Sequence, residues 1–309
     1  MKKITSVDTD IAREMNSLIN GRLYVWEPMS NHTSLRVGGP ARFYHYPQSR
    51  EDLSLLLKYC FEHEIEVFII GYGTNLLVSD SGIDGCVIDL SDACRELERY
   101  RDEFVVGAGV WGTDLVRFTA ETGYAGLASL AGIPGSIGGW MKMNAGAFRH
   151  TISEVTESVD VMSLDGTIST LKKEDINFAY RKSPGLKGKI VTGAKLRLIQ
   201  GDRDEIMAEA EATIATRYER NVMTLPSAGS IFKNPQGYFA AKLIESLGFK
   251  GVKSGNVQVS ELHANFIVNS GGGNATDVKN LINTIRGKVK TKYGVELETE
   301  VRMLGWANS

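Results

Sequence analysis

Three short segments of the 309-residue chain are dense in groups that could manage charge and protons. FAYRKS (178–183) sets Arg181 in an aromatic-flanked loop. SAGSIFKNP (227–235) places Ser230 between glycine and apolar residues, with Lys233 and Asn234 close behind. LETEVR (297–302) alternates, so that on a strand Glu300 and Arg302 would face the same way. Taken singly, Arg181 also reads as a surface ion-pair residue, Ser230 as a turn residue and Glu300 as a solvated strand position. The surroundings of Ser230, AGSIF, lack the GxSxG pattern of a hydrolase elbow. The five histidines are scattered and no His, Cys or carboxylate set has metal-ligand spacing, so no metal site is expected.

Glycine loops supply a second kind of chemistry. GYGTN (71–75) follows a strand-like VFII and could turn the amides of Gly71 and Gly73, with the side chains of Thr74 and Asn75, toward a pyrophosphate. The tract GIPGSIGG (132–139) could bring a second stretch of backbone against the same anion without side-chain clash. Two such loops suggest a large cofactor. A literal GxGxxG occurs at Gly107, Gly109 and Gly112, but the dinucleotide fingerprint needs an acid about 20 residues further on. No Asp or Glu lies between Glu121 and Glu154, so a Rossmann site is not expected and a plain tight turn is. The run GGGNAT (271–276) opens a helix and reads as a loop with a cap, an anion site being the alternative.

The elements that must position these groups follow from periodicity. Helical spacing runs over 8–20, with Gly21 as its stop, over 50–63, from a cap at Thr113 or Asp114 to Gly123, over 202–220, 238–247 and 276–292. Strands are expected at 23–26, 41–46, 67–70, 104–106, 189–199, 266–269 and 297–304, with a hairpin at Asp165-Gly166 and a loop over 224–236. Glycine is enriched, 33 of 309 residues against an average of about 7%. The balance of 35 basic and 37 acidic side chains gives a net charge of −2, which leaves no footprint for nucleic acid. A polar start, MKKITSVDTD, and the lack of any long apolar run point to a cytoplasmic chain with no membrane partner. Cys60, Cys86 and Cys94 have no CxxC spacing and read as packed thiols.

Taken together, NHTSLRVGGPA (31–41), GYGTNLL (71–77), AGIPGSIGG (131–139), MNAGA (143–147), FAYRKS, PSAGSIFKNP (226–235) and LETEVRMLG (297–305) resemble the UDP-N-acetylenolpyruvoylglucosamine reductase (MurB) family, in the right order over nearly the whole chain. The resemblance implies an α+β protein: a two-lobed FAD-binding domain of the vanillyl-alcohol-oxidase (PCMH) type, then a smaller substrate-binding domain. The divisions it suggests are an N-terminal segment 1–34, a flavin domain 35–200 with lobes of about 35–90 and 91–200, and a substrate domain 201–309.

It also implies a reaction. NADPH reduces a tightly but non-covalently bound FAD, and UDP-N-acetylglucosamine enolpyruvate then accepts hydride from flavin N5, giving UDP-N-acetylmuramate for peptidoglycan. By matching motif, Ser230 is the proton donor, while Arg181 and Glu300 polarise the substrate carboxylate and stabilise the enolate-like intermediate. FAD falls to Gly71, Gly73, Thr74, Asn75, Gly132, Ile133, Pro134, Gly135, Ser136, Gly138, Gly139 and Asn144; the substrate falls to Lys233, Asn234 and Arg302. The chemistry agrees with these types: charge builds on the carboxylate during hydride addition, a cation there lowers the barrier, and Glu300 helps only if protonated. The chain departs from the family at Thr74 (usually serine), at Trp140 (usually small) and at Phe148-Arg149-His150. The short interval from Arg181 to Ser230 fits the family's shorter type, without a covering tyrosine at Tyr218, and the chain is read as a monomer.

Overall fold

The computed structural model describes residues 5–306 apart from Asn221 and Met223. Those two residues, within the 217–226 segment before the serine loop, and residues 1–4 and 307–309 lie outside the described part. Contacts group the chain into two units that are not collinear with the sequence. The first comprises 1–26, 42–72 and 85–216; the second comprises 27–41, 73–84 and 217–309. The division expected from the sequence, by contrast, runs in order along the chain with breaks at 35 and 201.

The first unit holds two sheets. One has strand order Gly21–Pro28, Pro40–Pro47, Ile83–Asp89, Val67–Ile70, with the last two parallel. Helices Ser6–Leu18 and Arg50–Glu62 bury Met15, Leu53, Leu56, Leu57 and Cys60 in the same core as Phe43, Cys86 and Ile88. The other is a five-stranded antiparallel sheet in the order Ile168–Lys172, Thr156–Met162, Ile190–Arg197, Glu103–Gly107, Leu97–Tyr100. Helices Gly112–Glu121 and Ile137–Met143 contribute Leu115, Ile137, Trp140 and Met141 to the core. The Asp165-Gly166 hairpin forms as expected: the Ser163 amide donates to Thr167 O at 2.9 Å and Gly166 takes φ +83°. The three cysteines are buried and free, and burial pushes the Cys94 thiol up to about 11.

The second unit has the antiparallel order Ser227–Ser230, Phe266–Asn269, Val257–Val259, Lys253–Ser254, with helix Ala275–Tyr293 burying Val278, Leu281, Ile282, Ile285 and Val289. Strands Leu76–Val78 and Arg302–Leu304 pair in parallel, with Arg302 opposite Leu76. No described helix is long and apolar enough to cross a membrane.

Several elements differ from expectation, each for a local reason. Gly21 does not stop the first helix, which ends at Leu18; it opens a strand at φ +136°, where a side chain would meet Tyr46 O at 2.0 Å. Neither Thr113 nor Asp114 caps the helix that starts at Gly112: its N-cap is Trp111, which makes no side-chain cap. The helix expected over 238–247 is confined to Ala240–Glu245. The stretch 224–236 contains a strand, Ser227–Ser230, disguised by a register shift and by Gly229 at φ +71°. The strand expected over 297–304 is regular only from Arg302, because the chain bends at Val301. Simple alternation therefore does not carry Glu300 and Arg302 onto one face.

Candidate active site

In the first unit three glycine loops meet. A Cβ on Gly71 would lie 2.3 Å from Ser136 Oγ, so the GYGTN and GIPGSIGG segments touch at an approach only glycine permits. The third loop is the 107–112 segment that mimics a dinucleotide fingerprint. It clamps the second: Gly112 N donates to Gly135 O, Ile137 N to Val110 O and Gly138 N to Ala108 O, each at 2.9 Å. The Gly139 amide donates to Ser136 Oγ at 3.3 Å. The amides of Ile137, Gly138 and Gly139 are thus spent on holding the loop, Ile133 N donates to Leu130 O at 3.0 Å and Pro134 has no N–H, so the anion nest expected there narrows to the amides of Gly132, Gly135 and Ser136. Tyr72 closes the cluster, its hydroxyl donating to Gly109 O at 2.9 Å and its ring standing edge-on to Trp111. Trp140 is buried against Gly112, where a Cβ would come within 2.1 Å of the indole.

The Arg181 loop belongs to this same unit and is laced to the helix Ile137–Met143. Ala179 and Lys182 exchange backbone hydrogen bonds of 2.9 and 3.1 Å across a turn whose third residue, Arg181, sits at φ +55°. That corner favours glycine or asparagine, so an arginine there holds about 1 kcal/mol or more of strain. Its guanidinium donates to Gly146 O at 2.8 Å and lies 5.3 Å from the Tyr180 ring centre. Asn144 ends the helix in the left-handed region; its amide donates to Ala179 O at 3.1 Å and its carbonyl accepts from Ser153 N at 3.3 Å. Ser183 Oγ donates to Met141 O at 2.6 Å, and Lys142 Nζ donates to Leu186 O and Lys189 O. Asn144, expected on the cofactor, uses its side chain to fix the arginine loop.

In the second unit, two segments, Asn265-Phe266 and 298–301, converge on the backbone of Ser230 to Lys233. Ser230 pairs with Phe266, and its hydroxyl has no hydrogen-bond partner among the described residues. Ile231 O accepts from Glu300 N at 2.8 Å and from Val301 N at 3.4 Å, which sets Ser230 and Glu300 on adjoining backbones. The buried Asn265 reads the next residue in both directions: Phe232 N donates to its Oδ1 at 3.0 Å and its Nδ2 donates to Phe232 O at 2.8 Å. Lys233, 12% exposed, pairs with the exposed Glu298 at 2.5 Å. Asn234 Oδ1 accepts from Ala240 N at 2.9 Å and fixes the turn into the next helix, while Arg302 is exposed.

The rest of the GYGTN loop, Gly73 to Asn75, is also part of this unit. Gly73, at φ +60°, lies against His32, whose carbonyl would be 1.9 Å from a Cβ there, and Ser34 N donates to Gly73 O at 3.1 Å. Asn75 Nδ2 donates to Glu300 O at 3.2 Å and Asn75 O accepts from Arg302 N at 2.9 Å. The GGGNAT run presents no open anion site. Gly271 N and Gly273 N donate to Asn269 Oδ1, and the Asp80 carboxylate takes the Ala275 and Thr276 amides, each at 2.8 Å. Of these devices the sequence reading missed the clamp by 107–112 and the roles of Asp80, Asn265 and Asn269; the one available signal was the placement of Asp, Asn and Gly beside turns.

A family model described as UDP-N-acetylenolpyruvoylglucosamine reductase, C-terminal domain, matches residues 220–304, and one described as FAD binding domain matches 41–172. The UDP-N-acetylenolpyruvoylglucosamine reductase of Clostridium tetani is 42% identical over 280 residues, covering 90% of this chain and 91% of that protein. The chain belongs to the UDP-N-acetylenolpyruvoylglucosamine reductase family. The enzyme of that name from Geotalea uraniireducens is 38% identical over 296 residues, 96% of this chain and 98% of its own. A crystal structure of the MurB reductase from Thermus caldophilus superposes with a TM-score of 0.78 at 33% identity, over 92% of this chain and 99% of that one. The α+β fold with an FAD-binding domain therefore stands. This member of the reductase family is an FAD-dependent oxidoreductase of peptidoglycan precursor synthesis. Its residues fit the cofactor: Gly132 and Gly135, at φ +76° and +124°, give the 132–136 loop the backbone turns of an anion nest.

Proposed function

We propose that the protein reduces UDP-N-acetylglucosamine enolpyruvate to UDP-N-acetylmuramate at the expense of NADPH, with Ser230 as proton donor and Arg181 and Glu300 on the substrate carboxylate. The observation that carries this reading is the 2.8 Å bond from Glu300 N to Ile231 O, which hangs the serine and the carboxyl group from adjoining backbones. FAD, when bound, supplies the relay that accepts a hydride from NADPH and passes it to the outer vinyl carbon. The FAD contacts fall to Gly71, Gly73 and Thr74 and to the loop from Gly132 to Ser136.

The protein's own groups handle charge and the proton. As hydride arrives, negative charge grows on the substrate carboxylate, and the Arg181 guanidinium, pre-set in its strained turn, offsets it without reorganising. Glu300 in its protonated form donates to the same carboxylate. Ser230 gives its hydroxyl proton to the carbon beside the new C–H bond; a hydroxyl with no competing partner among the described residues is free to do so. Lys233 serves the substrate phosphates by leaving Glu298, a half-exposed pairing worth about 1 kcal/mol or less.

Anaerobic visible spectra test the proposal. The flavin bands should bleach with NADPH and return with the enolpyruvyl sugar nucleotide. In Ser230→Ala the bleaching should keep its rate and the return should slow by about 10²–10⁴-fold. Equal slowing of both steps would remove the proton-donor role.

A further inference from the structure

We infer that Asn75, which the sequence assigns to the cofactor, is a positioning residue for Glu300. The peptide of Glu300 is gripped from two sides within the second unit. Its N–H donates to Ile231 O at 2.8 Å, beside Ser230, and its C=O accepts from Asn75 Nδ2 at 3.2 Å. Asn75 O also accepts from Arg302 N at 2.9 Å, so one residue brackets the buried Val301 on both flanks.

This grip stands where the ladder has failed. Regular pairing of the last strand begins only at Arg302, opposite Leu76, and the residue before it is a bend. Phe232 and Thr299 form a single bridge on the other side. Between that bridge and the strand, Glu300 has no sheet to fix its direction, and Ile231 and Asn75 take the place of one. A side-chain amide suits the task because its N–H₂ can donate to the Glu300 carbonyl while the Asn75 backbone carbonyl accepts from Arg302 N. The residue that follows the glycines of the flavin loop thereby sets the register of the acid assigned to the substrate. A displacement of about 1 Å at such a group costs on the order of 10²-fold in rate.

The inference rests on the proposed function and is tested in the full-length holoenzyme with Asn75→Leu and Asn75→Asp. The expected result has two parts. FAD affinity and bleaching by NADPH stay at wild-type values, while reoxidation by the enolpyruvyl sugar slows by about 10-fold or more. In Asn75→Asp the introduced carboxylate faces the Glu300 carbonyl with no proton to share. Its neutral acid regains the donor, so the deficit of Asn75→Asp relative to the wild type at the same pH should shrink as pH falls through the titration range of the introduced carboxyl group. Should Asn75→Leu fail to fold, that pH profile alone decides. Loss of FAD affinity with parallel slowing of both steps would return Asn75 to the cofactor and overturn the inference, as would two unchanged half-reactions. Amide exchange at Val301 and Arg302 gives an independent reading. If the wild-type flavin is not reoxidised by the sugar, the proposed function fails, and faster exchange in the variants, or its absence, still decides whether Asn75 holds this segment.

Discussion

The two halves of the chemistry are built by opposite means. In the first unit the glycine loops 71–72, 107–112 and 132–139 are fixed by what is missing: neighbouring side chains close in until a Cβ at Gly71 or Gly112 would stand 2.3 Å from Ser136 Oγ or 2.1 Å from the Trp140 ring. In the second unit the segments around Ser230 and Glu300 are fixed by what is added, the side-chain amides of Asn75, Asn265 and Asn269 and the carboxylate of Asp80. A surface that must fit a rigid flat cofactor is best cut by removing side chains. Groups that must aim at a reacting carbon are better tied one bond at a time. The first design should break under added volume and the second under lost hydrogen bonds.

Gly112→Ala tests the volume side with the largest expected effect. The new methyl would strike the Trp140 ring, itself fully packed, and should cost about 3 kcal/mol in denaturant unfolding together with weakened FAD retention. A wild-type midpoint would mean that the cluster has slack. A second probe in that unit is acid. His45 is fully buried, neither ring nitrogen has a hydrogen-bond partner among the described residues, and burial lowers its pKa to about 4. Because the folded value lies below the unfolded one near 6.5, its contribution is complete above pH 6.5 and is lost as pH falls toward 4. By pH 5 the loss should be about 2 kcal/mol. His45→Leu should flatten that slope, and an unaltered slope would place the acid sensitivity elsewhere.

The smallest effect probes the tied half. Asp80→Asn keeps one acceptor for the Ala275 and Thr276 amides but removes the charge at the start of helix Ala275–Tyr293, so it should cost about 1 kcal/mol. Its salt dependence separates the two contributions: the charge contribution is screened and the hydrogen bond is not. If Asp80→Asn proved as costly as Gly112→Ala, the contrast between the units would lose its basis.

The amino-acid sequence by itself determined most elements and all the motifs. Periodicity set helices over 50–63, 202–220 and 276–292, each within a residue of the observed ends, and the strands at 67–70 and 266–269, because burying a stripe or a face leaves a local signature. The glycine runs announced close backbone approach for the same reason: a missing side chain is visible in one dimension. Arg181, Ser230 and Glu300 were legible as types in motifs. Their settings were not. Only tertiary structure decided that 107–112 is a clamp, that Gly229 hides a bulged strand, that 27–41 and 73–84 join the C-terminal unit, and that Asn75 holds Glu300. Those outcomes depend on hydrogen bonds between residues up to 234 positions apart, and a side-chain amide carries no mark of which backbone it will meet.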